Sequence, residues 1–592
     1  MELVDSRRLT GPNIHATEAG AVAEVRLGDA PAEPFIARWR AAVEEALDGL
    51  AARGQDWRRE LAAGGHPLIV GARSFVDAEG SAGAQLMLSA PVDRLYVATE
   101  VNEWAIAAVA GEDPAFDLDA LAERAAAEAR ERLGAMELIA AARARGLPWL
   151  LDDDCLSLGY YAGVRSLRFE DHPEGLPAPG ELDWSGLAGG ALAVITGTNG
   201  KTTTTRMLTR IAKGAGHRVG NTSTDGLFID ERLVDAGDWT GPGGARTLLR
   251  DPSVSLAVLE AARGGLLRRG LGVRRCDVSV ITNVDRDHLG EYGVFDLEGM
   301  AAAKGVIAHA TLGGGRIVLG ADSEALVAWA RRTALPAPVV WFSPALDNPV
   351  LVEHRARGGT SWSVRGGALT RFEGEVGEAV MPVADIPACF GGRARHNVAN
   401  ALAAAAAATA LGMGPEAVAA GLRDFGRRPE DNPGRAHLWS VPLDPERPEA
   451  GAARLLVDFA HNDAGLSALA ELVAGLSEGG AAPVICFGMA GDRSDADLLL
   501  LGAALRRYQP RVVVLREQTE YLRGRAAGEV PEQLAAGFRG AGDGETPIEF
   551  AADEPSSVDR ALAHCGDGDL VVLLVHTERA ALREWLSRRG AR

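Results

Sequence analysis

The stretch that most constrains this chain is Ala191 to Arg210, ALAVITGTNGKTTTTRMLTR. Ala191 to Ile195 is an apolar run of strand length, a glycine-bearing turn follows, and Met207, Leu208 and Ile211 are then spaced for one face of a helix. A strand that feeds a helix through GxxGKT reads as a phosphate cradle. Gly197 and Gly200 let the backbone curl with its N–H groups inward, Lys201 can reach the terminal phosphates, and the Thr202 hydroxyl is placed for Mg²⁺. The spacing is tighter than GxxxxGK[ST], because Ile195 stands where the first glycine would be.

At 592 residues the chain is too long for one core, and about three or four domains are expected. No apolar run approaches the roughly eighteen residues that span a bilayer, and the N-terminus, MELVDSRRLTGPN, lacks the apolar stretch of a signal peptide. These features predict a soluble cytoplasmic protein with no membrane partner. The cysteines, Cys155, Cys276, Cys389, Cys486 and Cys565, form no CxxC pair and lie in or beside apolar runs, so they read as reduced core residues. A formal charge of −20 argues against non-specific nucleic-acid binding, which needs a basic surface.

The pattern of elements predicts an α/β protein. Residues 1–185 read as an α+β domain, with helices from Trp39 to Ala52 and Leu121 to Arg145 and short strands at Pro67 to Val70, Ala84 to Ser89 and Arg94 to Thr99. Pro173 to Leu187, rich in proline and glycine, reads as a linker. Residues 186–424 alternate strand and helix, which predicts a mostly parallel sheet covered on both faces. From Phe425 to Arg592 the alternation continues as a Rossmann-like unit without GxGxxG.

Ligands of such sheets sit beyond the carboxyl ends of the strands. Leu256 to Leu259 ends in Glu260, and Val278 to Thr282 ends in Asn283, Val284, Asp285, Arg286, Asp287 and His288, so both polar clusters should face the cradle's edge. An acidic residue there can hold Mg²⁺, and a neutral imidazole can take a second cation. Ala261 to Gly270, AARGGLLRRG, reads as a loop in which Arg263 either sits in a solvated turn or brings donors to a carboxylate or phosphate.

Taken in order, GTNGKTT, LEAARGG, TNVDRDHLG, Lys304 in AAAKGV, ARHNVANALAA, NPGR and VDFAHN resemble the Mur ligase superfamily. Within it, NTSTDGLFI, GDWTGP, LEAARGGLLRRGLG, GMAGDRSD and LREQTEYLRGRAAGEV are similar to the Mur-ligase-like half of the cyanophycin synthetase family, and RRLTGPNIH and LSLGYYAGVRSL to its N-terminal domain. That family carries an ATP-grasp domain between the two, for which Pro173 to Leu187 leaves no room.

The resemblance implies an ATP-dependent amide-forming ligase that activates a carboxylate as an acyl phosphate and joins an amino acid to an acidic peptide or amino acid, without the backbone-extending unit. ATP and Mg²⁺ are the implied cofactors. Gly197, Thr198, Asn199, Gly200, Lys201, Thr202 and Thr203 would cradle the phosphates; Thr202 and Glu260 would hold one Mg²⁺ and His288 a second. Lys304 matches a lysine that many Mur ligases carbamylate, although a plain surface lysine is the other reading. Asn397 falls in the adenine-side motif, and it could equally cap its helix. Arg435 would close on the phosphates, with Asp458, His461 and Asn462 facing the same cleft; Asp463 stands where the family has proline. Asp492 and Arg493 lie in the loop that takes the incoming amine, unless that loop only caps a helix, and Arg523 to Glu529 can assist. Folylpolyglutamate-type and UDP-MurNAc-peptide-type ligation, a plain P-loop ATPase and a non-catalytic partner of a separate synthetase are the other classes, and the cyanophycin branch implies a homo-oligomer.

Overall fold

The computed structural model describes residues 1–77, 79–287, 289–542 and 544–592, so His288 lies outside the described residues. The chain forms two compact units. The first comprises Met1–Arg365, Leu369–Val380 and Ala401–Gly421, and the second Gly366–Ala368, Met381–Asn400 and Leu422–Arg592. Among the described residues no helix is long and apolar enough to cross a membrane.

The first unit begins with an antiparallel sheet in the order Glu2–Leu9, Gly20–Gly28, Ala82–Ser89, Val70–Val76. Helices Ala32–Ala52 and Leu95–Ala110 bury Trp39, Val43, Leu47, Val101 and Ile106 in one core with it. Arg94 to Thr99, predicted as a strand, is instead the start of the second of these helices. Its first turn is fixed from a distance: the Glu128 carboxylate accepts the Tyr96 and Val97 N–H groups at 3.1 and 3.0 Å, which satisfies donors that a helix start leaves open. The predicted helix Leu121 to Arg145 is two, Leu118–Glu131 and Ala135–Ala144. Gly134, at φ +87°, turns the chain between them, a conformation that glycine adopts at no steric cost.

Pro173 to Leu187 is no free linker. Leu176 and Leu182 are buried with Leu138, Leu156 and Leu167, and Trp184 Nε1 donates to the Pro179 carbonyl at 2.8 Å. The N-terminal region is also stitched to the central sheet and its helices. Thr10 N–H donates to Arg269 O at 2.8 Å, Leu271 N–H to Pro12 O at 2.7 Å and Tyr161 OH to Ala191 O at 2.8 Å. Hydrogen bonds and shared core thus join the N-terminal region to the central sheet within the first unit.

The central sheet runs Arg232–Ala236, Gly226–Ile229, Val219–Ser223, Leu256–Glu260, Ala191–Thr196, Cys276–Ile281, Thr311–Gly320, Val339–Phe342, Thr360–Arg365, Ala368–Glu373, Val376–Pro382. From Val219–Ser223 to Thr360–Arg365 the neighbours are parallel. Ala191–Thr196 is the inner strand, paired to Leu256–Glu260 on one side and Cys276–Ile281 on the other. Buried on both faces, it reads as a continuous apolar run. Parallel pairing brings the carboxyl ends of these strands to one edge.

The second unit holds a sheet in the order His437–Pro442, Ala452–Asp458, Leu570–Leu574, Val484–Phe487, Val512–Arg516, Ile548–Ala551. The first pair is antiparallel and the rest parallel. The five parallel strands match the apolar runs in the sequence. The antiparallel His437–Pro442 has no such signal, since Trp439 is its one large aromatic and Leu438 is exposed.

Candidate active site

The cradle is a turn held from both neighbouring strands. Thr196 Oγ1 donates to the Ala261 carbonyl at 2.7 Å. At Gly197 a Cβ would stand 1.8 Å from Thr282 Oγ1, so no larger residue fits. Gly200 takes φ +83° and the helix Lys201–Gly214 starts directly after it. Asn283 clamps the turn. Its carbonyl accepts Thr198 N–H at 3.0 Å, its Oδ1 accepts Asn199 N–H at 2.9 Å, and its Nδ2 donates to Asn199 O at 3.1 Å. Thr282 Oγ1 donates to the same carbonyl at 2.6 Å, and Asp285 N–H donates to Thr198 Oγ1 at 3.0 Å. Asn283 was legible only as part of a polar strand end; that it shapes the cradle follows from the parallel register.

Lys201 Nζ donates to Thr198 O at 3.0 Å and so lies over the turn. One residue on, Thr202 Oγ1 donates to Glu260 Oε2 at 2.8 Å, with Thr202 and Glu260 6% and 2% exposed. A buried carboxylate beside a hydroxyl is a hard oxygen donor set of the kind Mg²⁺ takes. Thr203, also buried, follows in the first helical turn.

Lys304, on the helix Leu297–His309, is 3% exposed. Burial, and next the Lys201 charge, holds its ammonium well below 10.5, with Asp287 and Asp285 acting the other way. The folded chain thus releases this proton before the unfolded chain does, so stability rises with pH from the folded-state value up to about 10.4, the ordinary lysine value. Lys304→Met cannot titrate. The difference in unfolding free energy, wild type minus Lys304→Met, should climb across that window in urea titrations at stepped pH; a flat difference would contradict the burial.

Ala261 to Gly270 is not a loop: the helix Arg263–Arg269 forms because Leu266 and Leu267 bury in the central core. Arg263, 8% exposed, pairs with Glu291. The segment bearing Glu291 is supported by the N-terminal sheet. Gln85 Nε2 donates to the Tyr292 carbonyl, Arg7 stacks 4.8 Å from the Tyr292 ring centroid, and the Phe75 and Phe295 rings lie 5.1 Å apart. No signal in the sequence marked Gln85. Gln85→Ala should loosen this segment by on the order of 1 kcal/mol, which predicts a few-fold fall in turnover at saturating ATP and, because the buried Gln85 also donates to Glu24 at 3.2 Å, a modest drop in the unfolding midpoint. Unaltered turnover would mean that the N-terminal sheet does not support the site.

In the second unit, Asp458 closes the strand Ala452–Asp458 and accepts Ala436 N–H and Ala460 N–H, each at 2.8 Å. Burial pushes its carboxyl pKa up, against the pull of His396 and Arg435. Arg435 lies 5.2 Å from the Phe459 ring centroid. His461 Nδ1 meets the Phe459 carbonyl at 3.0 Å, and Asn462 Oδ1 caps the helix Asp463–Leu476 by accepting Gly465 N–H at 2.9 Å. Asp463 is the first residue of that helix. Proline and an acidic residue both suit this position, so the departure from the family pattern leaves the local turn intact.

The Asn397 amide is engaged within the protein: Nδ2 donates to Ala388 O at 2.8 Å, and Oδ1 accepts from Asn400 at 3.2 Å. Asp492 and Arg493 follow the strand Val484–Phe487 in a loop braced by Arg525, which donates to Gly491 O at 3.0 Å and Arg493 O at 2.7 Å and pairs with Asp495 at 2.7 Å. The run Arg523 to Glu529 thus supports the loop through its backbone.

Comparison with known proteins agrees with this layout. Residues 195–408 match the Mur ligase middle domain, and residues 446–574 match the Mur ligase, glutamate ligase domain. A cyanophycin synthetase of Crocosphaera subtropica is 37% identical over 391 residues, which cover 66% of this chain and 43% of that protein. The chain therefore spans less than half the length of this relative. A UDP-N-acetylmuramoylalanine–D-glutamate ligase of Solibacter usitatus is 30% identical over 381 residues, covering 64% of this chain and 69% of that protein. A Yersinia pestis folylpolyglutamate synthase/dihydrofolate synthase structure superposes with a TM-score of 0.46 at 20% identity, over 67% of this chain and 90% of that one. With both family domains matched in order around the cradle and the strand ends just described, the chain belongs to the Mur ligase family.

Proposed function

We propose that this chain is an ATP-dependent carboxylate–amine ligase, joining an amino acid to a carboxylate of an acidic peptide or amino acid and releasing ADP and phosphate. A carboxylate is a poor electrophile. Transfer of the ATP γ-phosphoryl group makes it an acyl phosphate, the amine attacks the carbonyl carbon, and phosphate leaves. Such phosphoryl transfer needs positioning and charge neutralisation more than covalent help.

The observation that carries this reading is the buried Thr202–Glu260 pair directly after the glycine turn and Lys201. The turn's N–H groups, with Lys201, would hold the phosphates. Thr202 and Glu260 would hold Mg²⁺, whose charge offsets that developing on the transferred group. His288 would serve a second ion, and Lys304, carbamylated or not, would stand beside it. Arg263, through its pair with Glu291, would order the segment after His288. In the second unit, Arg435 would neutralise phosphate charge and Asn397 would shape the adenine side. Asp458 would fix the turn that presents His461 and Asn462, while Asp492 and Arg493 would receive the incoming amino acid. The assignment to an acidic acceptor and an amino-acid donor, and to a homo-oligomer, extends the likeness to cyanophycin synthetases.

The test is a matrix of candidate acids and amino acids scored by ADP release. ADP that appears only when both partners are present supports the ligase; ADP without either would make the chain a plain ATPase, and no ADP under any pairing would leave a non-catalytic partner.

A further inference from the structure

Away from the cradle, the first unit carries an open-sided cavity of about 270 Å³ between the N-terminal region and the helix Pro242–Leu249. Its wall carries four arginines, Arg8, Arg132, Arg246 and Arg269, against the carboxylates Glu128, Asp152 and Asp153. The carboxylates are already committed. Glu128 takes the two N–H groups that start the helix Leu95–Ala110. Asp152 accepts Cys155 N–H at 2.9 Å and the Arg250 guanidinium at 2.5 Å. Asp153 binds Arg132 at 2.9 Å from a side chain that is 64% exposed.

The guanidiniums are only partly paired: Arg132 meets Asp153 at 2.9 Å and stands 3.9 Å from both Glu128 and Glu131. Arg8 and Arg246 stand 3.6 Å from carboxylate oxygens of Asp153 and Asp152, close enough for an ion pair but beyond hydrogen-bond distance. Arg8 also lies 3.5 Å from the Tyr96 ring centroid. Arg269 makes no ion pair among the described residues. Arg132, 7% exposed, keeps its Nη1 buried without a hydrogen-bond partner. A buried guanidinium lacking its full set of acceptors is costly unless something supplies them.

We propose that this cavity binds an oxyanion of two or more negative charges, a polycarboxylate or a phosphate-bearing molecule, which the guanidiniums hold in two-point fashion. The volume suits a small ligand. The site is tied to the nucleotide cradle, since Pro242 and Ala245 of the same helix line a second, smaller cavity with Thr240 and Glu260. It does not depend on the ligase reading.

The full chain, its nucleotide site filled with Mg²⁺ and a non-hydrolysable ATP analogue, is titrated calorimetrically with tri-aspartate and, separately, with inorganic phosphate. At least one probe should bind the wild type, more weakly as potassium chloride is added, and Arg246→Ala with Arg269→Ala should cost tenfold or more in affinity. Binding of tri-aspartate alone identifies a carboxylate ligand, and of phosphate alone a phosphate-bearing one. Failure of both probes at millimolar concentration, or equal binding by the variant, would overturn the site. Arg269→Ala alone guards against misfolding, because that side chain is exposed and holds no ion pair among the described residues. A chain that binds a probe yet forms no amide keeps this site and loses only the ligase.

Discussion

Lys201→Ala should lower ADP formation by about 10²–10³-fold, the usual loss when one preorganised charge-stabilising donor is removed. Lys201 is the cation that the cradle itself supplies, and its Nζ already lies over the turn by donating to Thr198 O at 3.0 Å. Position 201 opens the helix Lys201–Gly214, where alanine is a good helix former. The turn is clamped by Asn283, Thr282 and Asp285, none of which contacts Lys201 through the bonds that hold it. The variant should therefore fold with an unfolding midpoint close to wild type while its turnover collapses. Turnover within a few-fold of wild type, measured by coupled ADP release, would remove the cradle from the chemistry.

The largest expected effect on stability lies in the second unit. Glu554→Ala should destabilise it by roughly 3–5 kcal/mol, the cost of leaving a buried charge uncompensated. Arg516 and Glu554 are 1% and 0% exposed in their side chains and meet at 2.9 Å. Glu554 also accepts the N–H groups of His576, Thr577 and Glu578 at 2.8, 3.2 and 3.1 Å. Its removal strands a guanidinium whose charge burial already disfavours, and it frees the turn after the strand Leu570–Leu574. Glu554→Gln keeps acceptors for those N–H groups and should cost less. Denaturant unfolding followed by hydrogen exchange at the buried amides of the strand Leu570–Leu574 would check the order of the two variants, and equal stability for both would show that the ion pair is not what holds this turn.

The sequence was most legible where chemistry demands a short, fixed spacing. GTNGKTT announces a turn with inward N–H groups, and the acidic ends of two apolar runs follow from strand polarity in a parallel sheet, so residue order alone brings Glu260 to the edge that carries Thr202. What was not legible is set by residues far apart in the chain. Arg94 to Thr99 looks like a strand in a short window, and only the Glu128 carboxylate, reaching its first turn from another helix, fixes it as a helix start. AARGGLLRRG looks like a loop because Gly264 and Gly265 have poor helix propensity, yet burial of Leu266 and Leu267 outweighs that cost of about 1 kcal/mol per glycine. Pro173 to Leu187 reads as a linker by composition alone, while Leu176 and Leu182 bury in a core that the composition of the segment does not reveal. The support that Gln85 gives to Tyr292 likewise spans 207 positions of sequence.

The most direct measurement traces an oxygen atom. If the carboxylate is activated as an acyl phosphate, one of its oxygens leaves with the phosphate when the amine attacks. An acidic peptide carrying heavy oxygen in its carboxylates is incubated with the chain, ATP, Mg²⁺ and an amino acid, and the released phosphate is analysed by mass spectrometry. Acyl-phosphate ligation predicts one heavy oxygen in each phosphate, matched by the amide product. Phosphate whose one new oxygen comes from solvent, with the label retained in an unchanged acid, would contradict it.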